Sequence, residues 1–213
     1  MKKDTREAIL ASVARHIFRY GFASLTMEGA AAAARVSKRT LYAHFSGKEA
    51  LLDAVLEFQA SRIGAAFSKV ADDPALDTVA KLSSVISLIA EIARRLPPVL
   101  MRDMMSDDRR FWEKVQKVRQ ERIFTVIQGI ILSSGEEDLI RKDIQAPLLT
   151  TLLFASIEAI AIPSFLLRLP FEPKEMIEGL LNMLFQGILS ENGRERIAGA
   201  KRAAPFDVLE DIL

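Results

Sequence analysis

The sequence contains no cysteine and only two histidines, His16 and His44, in 213 residues. The lack of cysteine excludes disulfides, thiolate nucleophiles, iron–sulfur clusters and zinc sites built on sulfur, and it agrees with a reducing compartment. Two histidines give no basis for a histidine-based metal site. We therefore expect neither a metal nor a cofactor.

Long hydrophobic runs are also missing. The longest uncharged stretch runs from Ile144 to Ile157, which is 14 residues, whereas a bilayer span needs about 20. The segment Met1–Glu7 carries acids and lacks the apolar core of an export signal. We expect a cytoplasmic protein that does not enter a membrane.

The net charge of +1 conceals an asymmetry along the chain. Residues 1–48 hold nine lysines and arginines against three acids, which gives +6, and the remaining residues hold 20 basic and 25 acidic groups, which gives −5. A basic segment on an acidic remainder indicates that the first 48 residues meet a polyanion.

Apolar residues recur at helical spacing throughout, and no alternating run typical of a strand is present. The sequence therefore predicts an all-α fold with a basic helical domain at 1–48, a larger helical domain at 49–190, and a tail at 191–213 that forms a short helix or frays. The predicted helices are 4–20, 27–34, 38–45, 48–70, 75–95, 98–106, 108–133, 146–161 and 174–190.

The most informative segment is Thr26 to Lys48. Thr26 and Ser37 are suited to cap two short helices, and the three-residue turn 35–37 between them matches a helix-turn-helix. Leu41 and Phe45, at i and i+4, are expected to pack into the core with the first helix.

The opposite face of the second short helix presents Lys38, Arg39, Thr40 and Tyr42. Cations and hydroxyls bond to phosphate oxygens and guanine edges, and a threonine methyl or tyrosine ring contacts a thymine methyl. From these residues alone, a solvated charged face remains the alternative to DNA binding.

The strings Leu25-Thr26-Met27-Glu28, Ala34 to Phe45 and Lys48 to Leu52 extend the pattern. With them, the segment Thr5–Leu56 resembles the DNA-binding domain of TetR-family (TetR/AcrR) repressors. The resemblance covers about a quarter of the chain. It implies a homodimer in which each subunit has a three-helix helix-turn-helix domain and a larger helical domain that binds an effector and dimerises.

The resemblance further implies a palindromic double-stranded DNA operator, repression rather than activation, and association with the nucleoid when bound. The family usually has glycine in the turn where this chain has Arg35. Either the turn relaxes from the left-handed conformation, or Arg35 adds a phosphate contact that partly offsets the strain.

Roles follow from position in the predicted helices. Lys38 and Arg39 are the candidates for base reading. The helix N-terminus at Thr26 and Met27 is suited to bind a phosphate. Lys48 lies in the first turn of a helix, where the helix dipole disfavours a cation unless an anion lies nearby. We therefore expect Lys48 to bind a phosphate as well. His44 either contacts the DNA backbone or bridges helices. The predicted DNA contacts are Thr26, Met27, Arg35, Ser37, Lys38, Arg39, Thr40, Tyr42, His44 and Lys48.

The larger domain gives weaker signals. The helices 146–161 and 174–190 suit a four-helix dimer bundle with their symmetry mates, and burial within the monomer is the alternative. The predicted interface residues are Leu149, Leu153, Ile157, Leu181, Leu184, Phe185 and Ile188.

An effector pocket is expected among methionines and aromatics, which shape adaptable apolar cavities but equally fill a plain core. We expect an apolar or amphipathic effector of unknown identity. The candidate residues are Met101, Met104, Met105, Phe111, Trp112, Phe124, Phe154 and the acid Glu158.

Three classes of function are open to such a chain. The first is a ligand-responsive transcriptional repressor, and the second is a constitutive helix-turn-helix regulator or architectural DNA binder without an effector. The third is an all-helical enzyme, for which the chain lacks a Ser/His/Asp order, a phosphate loop and a Glu-x-x-His pattern. The sequence therefore predicts that the protein is not an enzyme.

Overall fold

The structure of the chain is a computed structural model. It describes residues 2–104, 109–133, 139–160, 170–171, 175–176, 179–180, 183 and 187–199. The helices in this part are α1 Lys2–Tyr20, α2 Met27–Ala34, α3 Lys38–His44, α4 Lys48–Ala71, α5 Thr78–Arg95, α6 Pro98–Met104, α7 Arg109–Ser133, α8 Ala146–Ile160 and α9 Glu191–Gly199. Helical residues also occur between 175 and 188.

The predicted all-α fold is confirmed. Within the described ranges, β-type pairing is limited to one isolated antiparallel bridge between Ile140 and Leu189. The tail begins with a helix, α9, as one of the two predicted alternatives had it. Among the helices that the structure describes, none is long and apolar enough to cross a bilayer.

The chain divides into two compact units. Of the described residues, the first unit contains α1 to α3, α4 as far as Ile63, and residues 96–119 with α6, and the second contains residues 64–95 and those from Gln120 to Gly199. Residues 49–63 and α6, which the predicted boundary at 48 leaves in the larger domain, thus group with the helix-turn-helix.

The core of the first unit forms where α1 meets the two short helices. Ile9, Leu10 and Val13 on α1 are buried, and so are Leu41 and Phe45 at the end of α3, as predicted. The small side chains of Ala30 and Ala31 on α2 let the helix axes approach closely. Leu100 of α6 completes the same cluster.

In the second unit, Phe124 of α7 and Phe154 of α8 pack edge to face, with ring centroids 5.5 Å apart. Glu91 of α5 is buried and paired with Arg94 and Arg95, and the hydrogen bond from Arg94 lowers the pKa of Glu91 from 4.5 to about 2. This ion cluster keeps a carboxylate charged inside the unit.

Candidate nucleic-acid interface

Both short helices begin at a capping residue, as predicted. Thr26 has extended backbone angles, and its Oγ1 accepts a hydrogen bond of 3.0 Å from the Gly29 amide. Ser37 likewise accepts from the Thr40 amide at 3.0 Å. Such caps satisfy amides of the first turn and fix where each helix starts.

The helix α3 has one buried face and one exposed face. Leu41 is fully buried, whereas Lys38, Arg39 and Tyr42 are exposed, with 52% of Tyr42 accessible. Thr40 is half-buried, and its hydroxyl lies 2.8 Å from that of Ser37. The predicted cationic, hydroxyl and aromatic face therefore exists on the surface.

The two cations that begin α3 differ in their surroundings. Lys38 Nζ donates to Glu28 Oε1 of α2 at 2.5 Å, and this hydrogen bond lowers the pKa of the Glu28 carboxyl. Arg39 has no ion pair or side-chain hydrogen bond to any residue within the described ranges. Of the two cations, Arg39 is thus the more available hydrogen-bond donor.

Arg35 keeps the left-handed conformation that glycine has in the resembled family. Its φ is 54° and its ψ is 40°, and it is the only residue other than glycine with a positive φ among those the structure describes. The Val36 amide bonds to the Ala31 carbonyl at 3.0 Å, closing the end of α2. The turn has not relaxed, and the exposed guanidinium accompanies a strained backbone.

Replacing Arg35 with glycine is expected to raise the free energy of unfolding by about 0.5–1 kcal/mol. Glycine relieves ~1–2 kcal/mol of left-handed strain in the folded state. This gain exceeds the cost of the greater conformational entropy that glycine gives the unfolded chain. Arg35→Ala is the matched control, because it removes the guanidinium and keeps the strain. We expect chemical denaturation to show a gain for glycine alone; equal stability of the two variants would contradict this account.

Lys48 begins α4 and has a partner within the protein. Its Nζ donates to the Ala23 carbonyl at 2.9 Å, and the side chain is half-buried. Local sequence reasoning predicts an anion near this cation and misses the carbonyl, because Ala23 is 25 residues away. An ammonium has three donors, so the phosphate contact remains a prediction.

Met27 lies at the start of α2 as predicted, but its side chain is buried in the core of the first unit. The predicted phosphate contact of Met27 concerns its backbone amide at the helix N-terminus, and it stays a prediction. His44 is half-buried with its ring centroid 6.2 Å from that of Phe45.

The predicted pocket residues belong to both units. Met104 packs against the core of the first unit, and the buried Met101 belongs to the same unit, whereas Phe124 and Phe154 meet in the second. The helix α6 thus groups with the helix-turn-helix and not with the larger domain in which the predicted boundary placed it, and the contribution of Met101 and Met104 to an effector pocket stays a prediction. Met105 lies outside the described residues, as do the side chains of Phe111, Trp112 and Glu158.

The helix α8 presents a different apolar face from the one predicted. Leu149 and Leu153 are buried within their own subunit, whereas Leu148 and Leu152 are 53% and 52% exposed. Because Leu149 and Leu153 are already buried, they have no exposed surface left for a partner subunit. This corrects the prediction that these two residues form the dimer interface. Ile188 is also buried, and the side chains of Ile157, Leu181, Leu184 and Phe185 lie outside the described ones.

Two capped short helices, a buried inner face and a cationic outer face together form a helix-turn-helix. The sequence model for bacterial regulatory proteins of the tetR family matches residues 9–55. The predicted resemblance to TetR-family transcriptional regulators is therefore confirmed over this segment.

Similar proteins extend the likeness along the chain. The HTH-type transcriptional regulator YvaF of Bacillus subtilis, itself uncharacterized, is 26% identical over 183 residues, covering 86% of this chain and 95% of YvaF. The regulator FadR of Bacillus subtilis, solved with stearoyl-CoA, has a TM-score of 0.62 at 17% identity, covering 85% of this chain and 98% of its own. SmeT, solved as a complex with triclosan, has a TM-score of 0.66 at 17% identity, and the match covers 88% of this chain and 93% of SmeT.

Proposed function

We propose that this protein is a ligand-responsive repressor that binds a palindromic operator as a homodimer. The observation that carries the DNA-binding part is the outer face of α3, where Arg39 and Tyr42 are exposed beside the capped start of the helix. A recognition helix of this kind enters the major groove with its N-terminal residues at the base edges. Arg39 then reads bases, and Lys48 and Arg35 bind phosphates.

The palindrome follows from the proposed dimer. Two recognition helices read two half-sites when a two-fold axis places them about 34–36 Å apart. Leu148 and Leu152, exposed at i and i+4 on α8, supply an apolar stripe for such an axis. In this proposal Leu148 and Leu152 take the place of Leu149 and Leu153, which the sequence analysis predicted for the interface.

The effector is proposed to be apolar or amphipathic. Two proteins with this fold were solved with stearoyl-CoA and with triclosan, which both carry large apolar parts. In the second unit, the contact between Phe124 and Phe154 provides aromatic surface of the kind that lines such sites. Release of the operator requires an effector that prefers the state that does not bind DNA.

Selection of bound duplexes from a random pool is expected to yield an inverted repeat. Affinity for the selected duplex is expected to fall with salt, with a log–log slope of about −0.9 for each phosphate contact. Affinity that does not depend on salt, measured by fluorescence anisotropy, would contradict the DNA-binding assignment. Selection of a single half-site would contradict the dimer.

The effector part has a separate test. Compounds found in a thermal-shift screen of apolar ligands are titrated with and without the selected duplex. Linkage requires the duplex to weaken ligand binding by the same factor by which the ligand weakens DNA binding. Several chemically distinct ligands that bind tightly and leave DNA affinity unchanged would favour a constitutive regulator.

A further inference from the structure

The turn between α1 and α2 is held at Ala23 from two sides. The Ala23 amide donates to Oδ2 of Asp103 on α6 at 2.9 Å, and the Ala23 carbonyl accepts from Lys48 on α4 at 2.9 Å. Both partners come from helices distant in sequence, and all three residues belong to the first unit. One residue of the turn therefore connects α6 with the predicted phosphate anchor.

The turn is shaped to admit the carboxylate. Gly21 has a φ of +83°, and a Cβ at this position would clash with Asp103 Oδ2 and lie 3.2 Å from a methyl of Val99. Only glycine both adopts this angle readily and leaves the space that Asp103 occupies. The contact is thus built into the fold.

We propose that Asp103 is a positioning residue for DNA binding. By holding the Ala23 amide, it fixes the carbonyl that orients the Lys48 ammonium and the turn that leads to the cap Thr26. Lys48 reaches its phosphate only when this turn is in place. The inference rests on the proposed function, since it deepens the role of the same DNA-binding site.

The sign of the effect separates positioning from simple electrostatics. Asp103 is an acid in the unit that carries the basic segment 1–48. If its charge acted only through space, its removal would strengthen binding to a polyanion. If it positions Lys48, its removal weakens binding.

The experiment compares Asp103→Ala with wild type in the full chain, on a mixed-sequence duplex and on the selected duplex. We expect affinity to fall about tenfold and the salt slope to shrink by about 0.9 for each phosphate that Lys48 no longer binds. Asp103→Asn keeps an oxygen acceptor for the Ala23 amide and should restore the slope. Asp53→Ala is the matched control, because it removes an acid bonded to Lys114 in the same unit at 2.7 Å.

A double-mutant cycle with Lys48→Met completes the test. Effects on affinity that are not additive support positioning, whereas full additivity, or a salt slope unchanged in Asp103→Ala, overturns it. If the alanine variant does not fold, Asp103→Ser replaces it in the same comparison. The serine side chain is one atom shorter than that of aspartate, so its hydroxyl does not reach the Ala23 amide. Failure of wild type to bind either duplex would contradict the proposed function instead.

Discussion

Replacing Arg39 with alanine is expected to weaken the preference for the operator strongly while leaving binding to mixed-sequence DNA nearly unchanged. Arg39 is exposed in the first turn of α3, where arginine forms bidentate bonds to guanine. Each such contact contributes ~1–3 kcal/mol of discrimination, so two half-sites lose about 2–6 kcal/mol. Anisotropy titrations against operator variants measure the change.

Lys48→Met is the comparison variant for this prediction. A phosphate contact carries no sequence information, so its removal should weaken binding to operator and mixed-sequence duplexes by the same factor. If both substitutions changed affinity identically across the panel of variants, the division between base reading and phosphate anchoring would be wrong.

Replacing Leu152 with glutamate is expected to convert the dimer into monomers and to remove operator binding. A charge placed in a desolvated apolar interface without a partner costs several kcal/mol, and the axis repeats the substitution on both subunits. Because Leu152 is half-exposed in the subunit, the substitution spares the core. Sedimentation velocity and DNA titration measure the two results.

The control for the interface is Leu132→Glu, which makes the same change at a leucine that is 62% exposed on α7. We expect this variant to remain dimeric and to bind the operator. Dissociation by Leu132→Glu together with an intact dimer in Leu152→Glu would show that the interface lies away from α8.

Local sequence signals predicted most of the first unit. Thr26, Ser37 and Gly21 mark helix ends because capping and left-handed turns depend on neighbours a few residues apart, and the structure has α2 at the predicted residues. The buried face of α3 followed from its i and i+4 apolar pair. Such signals require no knowledge of distant residues.

Long-range contacts were not predictable in the same way. Asp103 meets Ala23 across 80 residues, and no local pattern indicates that α6 joins the first unit. The exposed face of α8 was also missed, since a helix that is apolar on nearly all sides gives no periodic signal to distinguish Leu149 from Leu148.

The bond between Lys38 and Glu28 limits what Lys38 can add to DNA binding. Glu28 acts as a tethered counterion, so a phosphate gains little by displacing a carboxylate of similar charge. The neutral acceptors of a guanine edge bind an ammonium more weakly than a carboxylate does. We therefore expect Lys38 to contribute little to the affinity, so that base reading by α3 depends mainly on Arg39.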